Sequence, residues 1–174
     1  MKAKLTIPLL LALSMFTGCG YHTTGASAHL PSSVHSIAVP IFRNNTQSYH
    51  TEVAVTEAIQ RELEDRTKMR VLPRGNEKSA DAVLTGIITK QTVVPLTYNS
   101  TTGQSSSFLI TVHASVELKD RDQRILFRNP DYVFRQQYEA SSSVANFLEE
   151  DAAAIRRLSS DFASSLVSDL LESF

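Results

Sequence analysis

Phe108-Leu109-Ile110-Thr111-Val112-His113-Ala114-Ser115-Val116-Glu117-Leu118-Lys119 is the stretch that decides the fold. Phe108, Ile110, Val112, Ala114, Val116 and Leu118 point one way. Thr111, His113, Ser115, Glu117 and Lys119 point the other. Strict alternation puts one face against a core and leaves the other in water, as in an antiparallel sheet. Downstream, Asp120 to Gln123 predicts a tight polar connection. Ile125 to Tyr138 then continues as a strand, with Tyr132, Phe134 and Tyr138 on one face and a break at Asn129-Pro130.

Upstream lies a polar run from Pro95 to Ser107, read as a loop longer than a hairpin needs. Such loops are functional or disordered, and Leu96 and Tyr98 give this one apolar content to offer a partner. Before it, Ala82 to Val94 is rich in Val, Ile and Thr and predicts a long strand. Gly86 inside it marks a bulge or a close approach.

Two amphipathic helices bracket these strands. In Thr51 to Lys68, Val55, Ala58, Ile59 and Leu63 form one stripe at spacings of three and four. Glu52 in the first turn and Arg66 and Lys68 in the last suit the helix dipole. At the end of the chain, Leu148, Ala152, Ile155, Phe162, Leu166, Leu170 and Phe174 form a second stripe. Asn146 with Glu149 resembles its capping box. Val34 to Phe42 predicts a buried strand that Pro40 ends or places at an edge, and Met69 to Leu72 a short strand, so that a βαβ-like unit precedes the long strands. The expected fold is α+β: a two-layer sandwich, with a mixed sheet of about four strands packed on two amphipathic helices.

The first residues have another purpose. Lys2 and Lys4 precede an apolar run, Leu5 to Phe16, too short to span a membrane. Residues 1–18 therefore read as a signal peptide. Thr17 and Gly18 lead into Cys19, the single cysteine of the 174 residues. This resembles a bacterial lipobox, with Phe16 where leucine is usual, and makes Cys19 the expected lipid-attachment residue. Gly20, rather than Asp, follows it, which points to the outer membrane and its periplasmic face. Residues 19–33 read as a lipidated tether and 34–174 as one domain. One cysteine allows no internal disulfide, so the core alone must hold the fold.

Little in the chain suggests catalysis. The histidines His22, His29, His35, His50 and His113 lack metal-ligand spacing, and no nucleophile elbow or phosphate-binding glycine loop is present. No enzyme activity, metal or cofactor is expected. Without the leader's two lysines, 15 basic side chains face 18 acidic ones. That balance argues against nucleic acid as a partner. Lys119, Arg121, Arg124 and Arg128 cluster around one turn, and guanidinium groups suit phosphate or carboxylate. Glu117, Asp120 and Asp122 are interleaved with them, so the alternative is a solvated hairpin tip.

Several stretches, in order, resemble the LPS-assembly lipoprotein family, LptE. They are Cys19-Gly20-Tyr21-His22 with Gly25, Leu30-Pro31, and Ile37-Ala38-Val39-Pro40-Ile41-Phe42-Arg43-Asn44-Asn45-Thr46. Glu57 to Arg66 with Val71 and Ala80-Asp81-Ala82-Val83-Leu84-Thr85-Gly86-Ile87-Ile88 continue the match. The resemblance implies a non-catalytic outer-membrane lipoprotein with two helices on a four-stranded sheet. It implies a partner, the LptD β-barrel, which such a protein plugs and helps assemble, and a ligand, lipopolysaccharide. Lys119, Arg121 and Arg124 are then candidates for lipopolysaccharide contact, and Leu96 and Tyr98 for the barrel. The Ile-Ala-Val strand also occurs in curli-secretion lipoproteins, so a ring-forming secretion component is the alternative.

Overall fold

Pro40 divides the first apolar run. Ser36–Ala38 form β1, with all three residues buried. The chain leaves the sheet at Val39 and rejoins it for two residues, Arg43–Asn44, as β2. A residue without an N–H cannot extend a ladder on both sides, so the strand expected over Val34 to Phe42 shortens to Ser36–Ala38, and a separate two-residue strand follows beyond it. In this computed structural model residues 34–48, 50–98, 100, 105–139 and 144–173 are described. The signal peptide, Cys19 and the tether lie outside them.

Thr51–Arg66 form α1, and Val55, Ala58, Ile59 and Leu63 are buried as their spacing predicts. Arg70–Leu72 form β3, parallel to β1, which completes the βαβ unit. Three long strands follow: Ala82–Tyr98 (β4), Ser105–Asp120 (β5) and Ile125–Glu139 (β6), then the helix Val144–Glu172 (α2). The sheet order is β3-β1-β4-β5-β6, with β2 also paired to β4. β1 and β2 run parallel to β4, whereas β5 runs antiparallel to both β4 and β6. The count is six rather than about four, because the two-residue β2 adds a strand beyond Pro40 and the short β3 docks beside β1. The class is α+β, with both helices on one face of a mixed sheet.

Three local expectations need correction. The loop expected from Pro95 to Ser107 is largely strand. Pro95 stands opposite Phe108, Thr97 opposite Ser107 and Tyr98 opposite Ser105, with register shifts between Pro95, Thr97 and Tyr98. β2 pairs with β4 at Ile87 and Ile88, and beyond them β4 is an edge among the described residues. Proline is tolerated on such an edge. The break at Asn129-Pro130 is instead a bulge within β6. Ala114 pairs with Tyr132 and Val116 with Asn129, and the Asp131 N–H donates to Asn129 Oδ1 at 3.0 Å. In α2, Ala152 is exposed and Ile155 half-buried, while Ala154 and Leu158 are buried. The buried positions recur as neighbours every four residues: Leu158-Ser159, Phe162-Ala163, Leu166-Val167, Leu170-Leu171. A line drawn back from Phe162 at mixed spacing therefore drifts off that face. The helix begins at Val144, so Asn146 lies in its first turn and not at its cap.

The layers meet at an aromatic cluster. Phe162 of α2 is fully buried and packs edge-on against Phe42, Tyr132 and Phe134, with ring centres 6.3, 5.6 and 4.6 Å away. Phe42 is held by its backbone N–H, which donates to Thr56 Oγ1 at 3.0 Å. Its ring lies directly over Gly86, where an added Cβ would sit 2.0 Å from the ring edge. Gly86 is thus a close-approach site. The β4 register shift nearest to it falls between Ile88 and Lys90.

Gly86→Ala forces Phe42 out of its seat. It should lower unfolding free energy by about 1–3 kcal/mol, the usual cost of overpacking. Urea denaturation reads this. In a Phe42→Leu background the same change should cost less, and an equal cost in both backgrounds would show that the ring is not the obstacle.

Candidate functional site

The side chains singled out in the sequence fall at opposite ends of the long strands. Tyr98 pairs with Ser105 at one end of the β4–β5 ladder and Ala82 with Asp120 at the other. Sixteen residue steps at the rise of a strand separate them by roughly 50 Å. Leu96 and Tyr98 cannot share a small-molecule site with the basic turn.

At the Tyr98 end, β4 runs beyond its parallel neighbours as an edge. Val93, Val94, Leu96 and Tyr98 are 44%, 45%, 44% and 62% exposed, four large apolar side chains within six residues of a segment that, among the described residues, pairs on one side only, with β5. Large exposed apolar groups scattered singly are ordinary, but a contiguous set marks a contact surface. The hairpin is tied across its strands where Thr97 Oγ1 and Ser107 Oγ lie 2.7 Å apart.

At the other end, every cation of the turn has a carboxylate. Lys119 Nζ lies 2.6 Å from Glu117, and Arg124 reaches Asp122 at 2.8 Å. Arg121 does structural work. It donates to the Ser79 and Ala80 carbonyls at 3.1 and 3.3 Å and to Asp81 Oδ1 at 3.0 Å. Asp81 Oδ2 in turn accepts from the backbone N–H groups of His35 and Ser36 and from Ser36 Oγ at 3.1, 2.9 and 2.7 Å. These bonds hold the Asp81 carboxyl below the ordinary carboxylate range, the Ser36 hydroxyl contributing most, with the Arg121 charge adding to them. The chain therefore enters the domain at this end, pinned to the start of β4.

A third feature went unnoticed in the sequence. On the sheet face away from the helices, a cleft of about 490 Å³ is lined by Pro40, Ile41 and Arg43, by Thr85, Gly86 and Ile87 of β4, by Ser115 and Glu117 of β5, and by Arg128 of β6. Thr85, Ser115, Glu117 and Arg128 occupy the outward positions of the alternation. Arg43 joins them through the β2–β4 pairing with Ile87, a parallel contact that no periodicity announces. His113 is also on this face and bonds Asp131 at 2.9 Å. Among the described residues no group of three or more His, Cys, Asp or Glu could hold a metal ion. No described helix is long and apolar enough to cross a membrane.

Comparison places this arrangement among known folds. A family model described as LptE, lipopolysaccharide-assembly, matches residues 34–170. Among curated proteins none matches the chain. Similar solved structures include a Xanthomonas campestris protein of the DUF330 family, 17% identical over 83% of this chain and 90% of that one, with a TM-score of 0.53. Lipoprotein B of Nitrosomonas europaea is 10% identical over 81% and 88%, with a TM-score of 0.51. A Chlamydia trachomatis protein, CT253, is 11% identical over 81% and 100%, also with a TM-score of 0.51. At these identities the likeness concerns the fold.

The Asp81 bonds set a pH dependence. A carboxylate whose folded pKa is depressed adds stability that is complete above its unfolded pKa and lost as pH falls through the folded one. Asp81→Asn should therefore be less stable than the native chain at pH 7. The gap should narrow as pH drops below about 4, the ordinary range of the group. Urea titrations at a series of pH values measure it, and a gap that stays constant down to pH 2 would show that the Asp81 charge is not what the bonds stabilise.

Proposed function

Because the chain belongs to the LptE family of lipopolysaccharide-assembly proteins, we propose that it acts as the lipid-anchored partner of an LptD-type β-barrel in the outer membrane. On this reading Cys19 carries the lipid, the domain faces the periplasm, and no reaction is catalysed. The observation that most supports a barrel partner is the exposed apolar run Val93, Val94, Leu96 and Tyr98 on the free edge of β4. An edge strand with uncovered apolar side chains invites pairing or packing by another chain. A protein that spends its life alone in solution covers or charges such an edge. Aromatic and aliphatic groups of this kind anchor interfaces once water is excluded around them.

The basic turn is the proposed contact for lipopolysaccharide. Lys119, Arg121 and Arg124 would each exchange or share a carboxylate partner with phosphate, whose oxygens suit charge-assisted bonds.

Two experiments bear on this. A photocrosslinking residue at Tyr98 should capture an outer-membrane β-barrel that also co-purifies with the native chain, and capture of none would remove the β4 edge from the interface. Replacing Lys119, Arg121 and Arg124 together by Ser should weaken lipopolysaccharide binding several-fold. Unchanged affinity in a folded variant would exclude the turn.

A further inference from the structure

Charge is segregated between the two layers. α1 and α2 together carry 11 of the 18 acidic residues and only 4 of the 17 basic ones. From residue 34 onward, the strands and their connections hold 11 basic and 7 acidic side chains. The chain as a whole is at −1, so the helix layer is strongly negative and the sheet layer positive. A field of that shape turns the sheet toward anions.

The positive layer carries a recess, the cleft on its outer face. Arg43 enters it from β2 and has no carboxylate partner among the described residues. Arg128 enters from β6, 63% exposed, with its nearest carboxylate, Glu117, 3.9 Å away. Lys119 holds the other Glu117 oxygen at 2.6 Å, and 3.9 Å is beyond hydrogen-bond reach, which leaves the Arg128 fork largely free to donate. Between the two arginines the floor is Thr85 and Ser115, and the Thr85 hydroxyl donates to the Glu117 carbonyl at 3.3 Å. The wall is apolar: Pro40, Ile87 and Ile41, which is 40% exposed. Two guanidinium forks facing hydroxyls, beside an aliphatic wall, suit a phosphate attached to a bulky, partly apolar group.

We infer that the cleft between Arg43 and Arg128 is a phosphate subsite for the phosphorylated sugar headgroup of a glycolipid. The inference rests on the lipopolysaccharide-assembly reading and adds a site to it, one that uses neither Lys119, Arg121 nor Arg124. Arg43 and Arg128 grip the phosphate oxygens, Ser115 donates to one of them, and Ile41 and Ile87 cover the adjoining carbon skeleton.

The test uses the full mature chain in mild detergent, titrated with lipopolysaccharide, with the same lipid after phosphate removal, and with phosphatidylglycerol vesicles. Arg43→Ser with Arg128→Ser should weaken binding of the phosphorylated glycolipid roughly tenfold or more, the worth of one or two charge-assisted bonds. It should leave binding of the dephosphorylated lipid unchanged. Arg43→Lys, which keeps charge but loses the fork, should fall between. Equal binding by the native chain and a folded double variant would overturn the cleft and leave the family reading standing. Equal loss toward both lipids would also overturn it. A phosphate effect of the same size on the vesicles would overturn the glycolipid assignment. A native chain that binds no glycolipid would defeat both readings at once.

Discussion

The seat of Phe162 is the constraint on which the remaining structure depends. Its ring meets Phe42 from the β1–β2 connection and Tyr132 and Phe134 from β6. Those three residues belong to the parallel and the antiparallel halves of the sheet, so one side chain of α2 fastens both halves to the helix layer. Nothing covalent shares the task, because the single cysteine lies outside the domain. Tyr132 adds a polar tie, its hydroxyl donating to Asp169 at 2.5 Å. Burial first, and the neighbouring Asp169 second, raise the phenol pKa, so the hydroxyl stays protonated and remains a donor. Aromatic groups contribute here through area and edge-to-face geometry together.

Placing both helices on one face leaves the other face of the sheet in solvent, and that asymmetry governs where chemistry can occur. Apolar positions of β4 and β5 are committed to the helices through Leu84, Ile88, Ile110, Val112 and Leu118, all at most 1% exposed. The alternate positions are free to be polar. They hold Thr85, Lys90, His113, Ser115, Glu117 and Lys119, and the same alternation on β6 adds Arg128 and Arg135. Binding groups on this face are mounted on paired strands, which fix side chains better than loops do. The cost is that they stay wet, so an isolated charge pair there is worth little. Several cations must act on one ligand to matter, and the cleft gathers two of them around hydroxyls.

Period-two alternation carried the reading of β5 from Phe108 to Lys119 almost residue for residue, and spacings of three and four carried α1. Both are local signals, set by how a regular element meets a core. What the chain does not announce is pairing between distant segments. Arg43 and Asn44 are strand only because Ile87 and Ile88 lie beside them. Pro95 is strand only because the far side of β4 is open there. Gly86 announces a special position, but not that a phenyl ring forty-four residues earlier occupies the missing Cβ volume. The basic turn shows the same limit in another form. Its four cations were legible, along with the acids interleaved among them. That Arg121 clamps Asp81 to the entering chain depends on β1 and β4 starting side by side.

That clamp gives the domain a direction. Val34, His35 and Ser36 enter next to Asp81 and Arg121, whereas Tyr98 ends the β4 edge roughly 50 Å away along the ladder. The outer-face cleft lies between, three to five residues from the entering end on β4. If Cys19 holds the lipid, the chain between it and Val34 spans at most about 50 Å when extended. The entering end is then tethered to the bilayer, and the Tyr98 end has the greater freedom to reach a partner. On that reading a contact at Tyr98 would fix the second end of the ladder, the first being held by the lipid. Two fixed ends orient the sheet face that carries Arg43 and Arg128, whereas a lipid anchor alone would leave it free to turn. With Cys19 lipidated and Tyr98 in contact with a partner, as proposed, the separation of the two ends would contribute orientation of that face rather than added affinity.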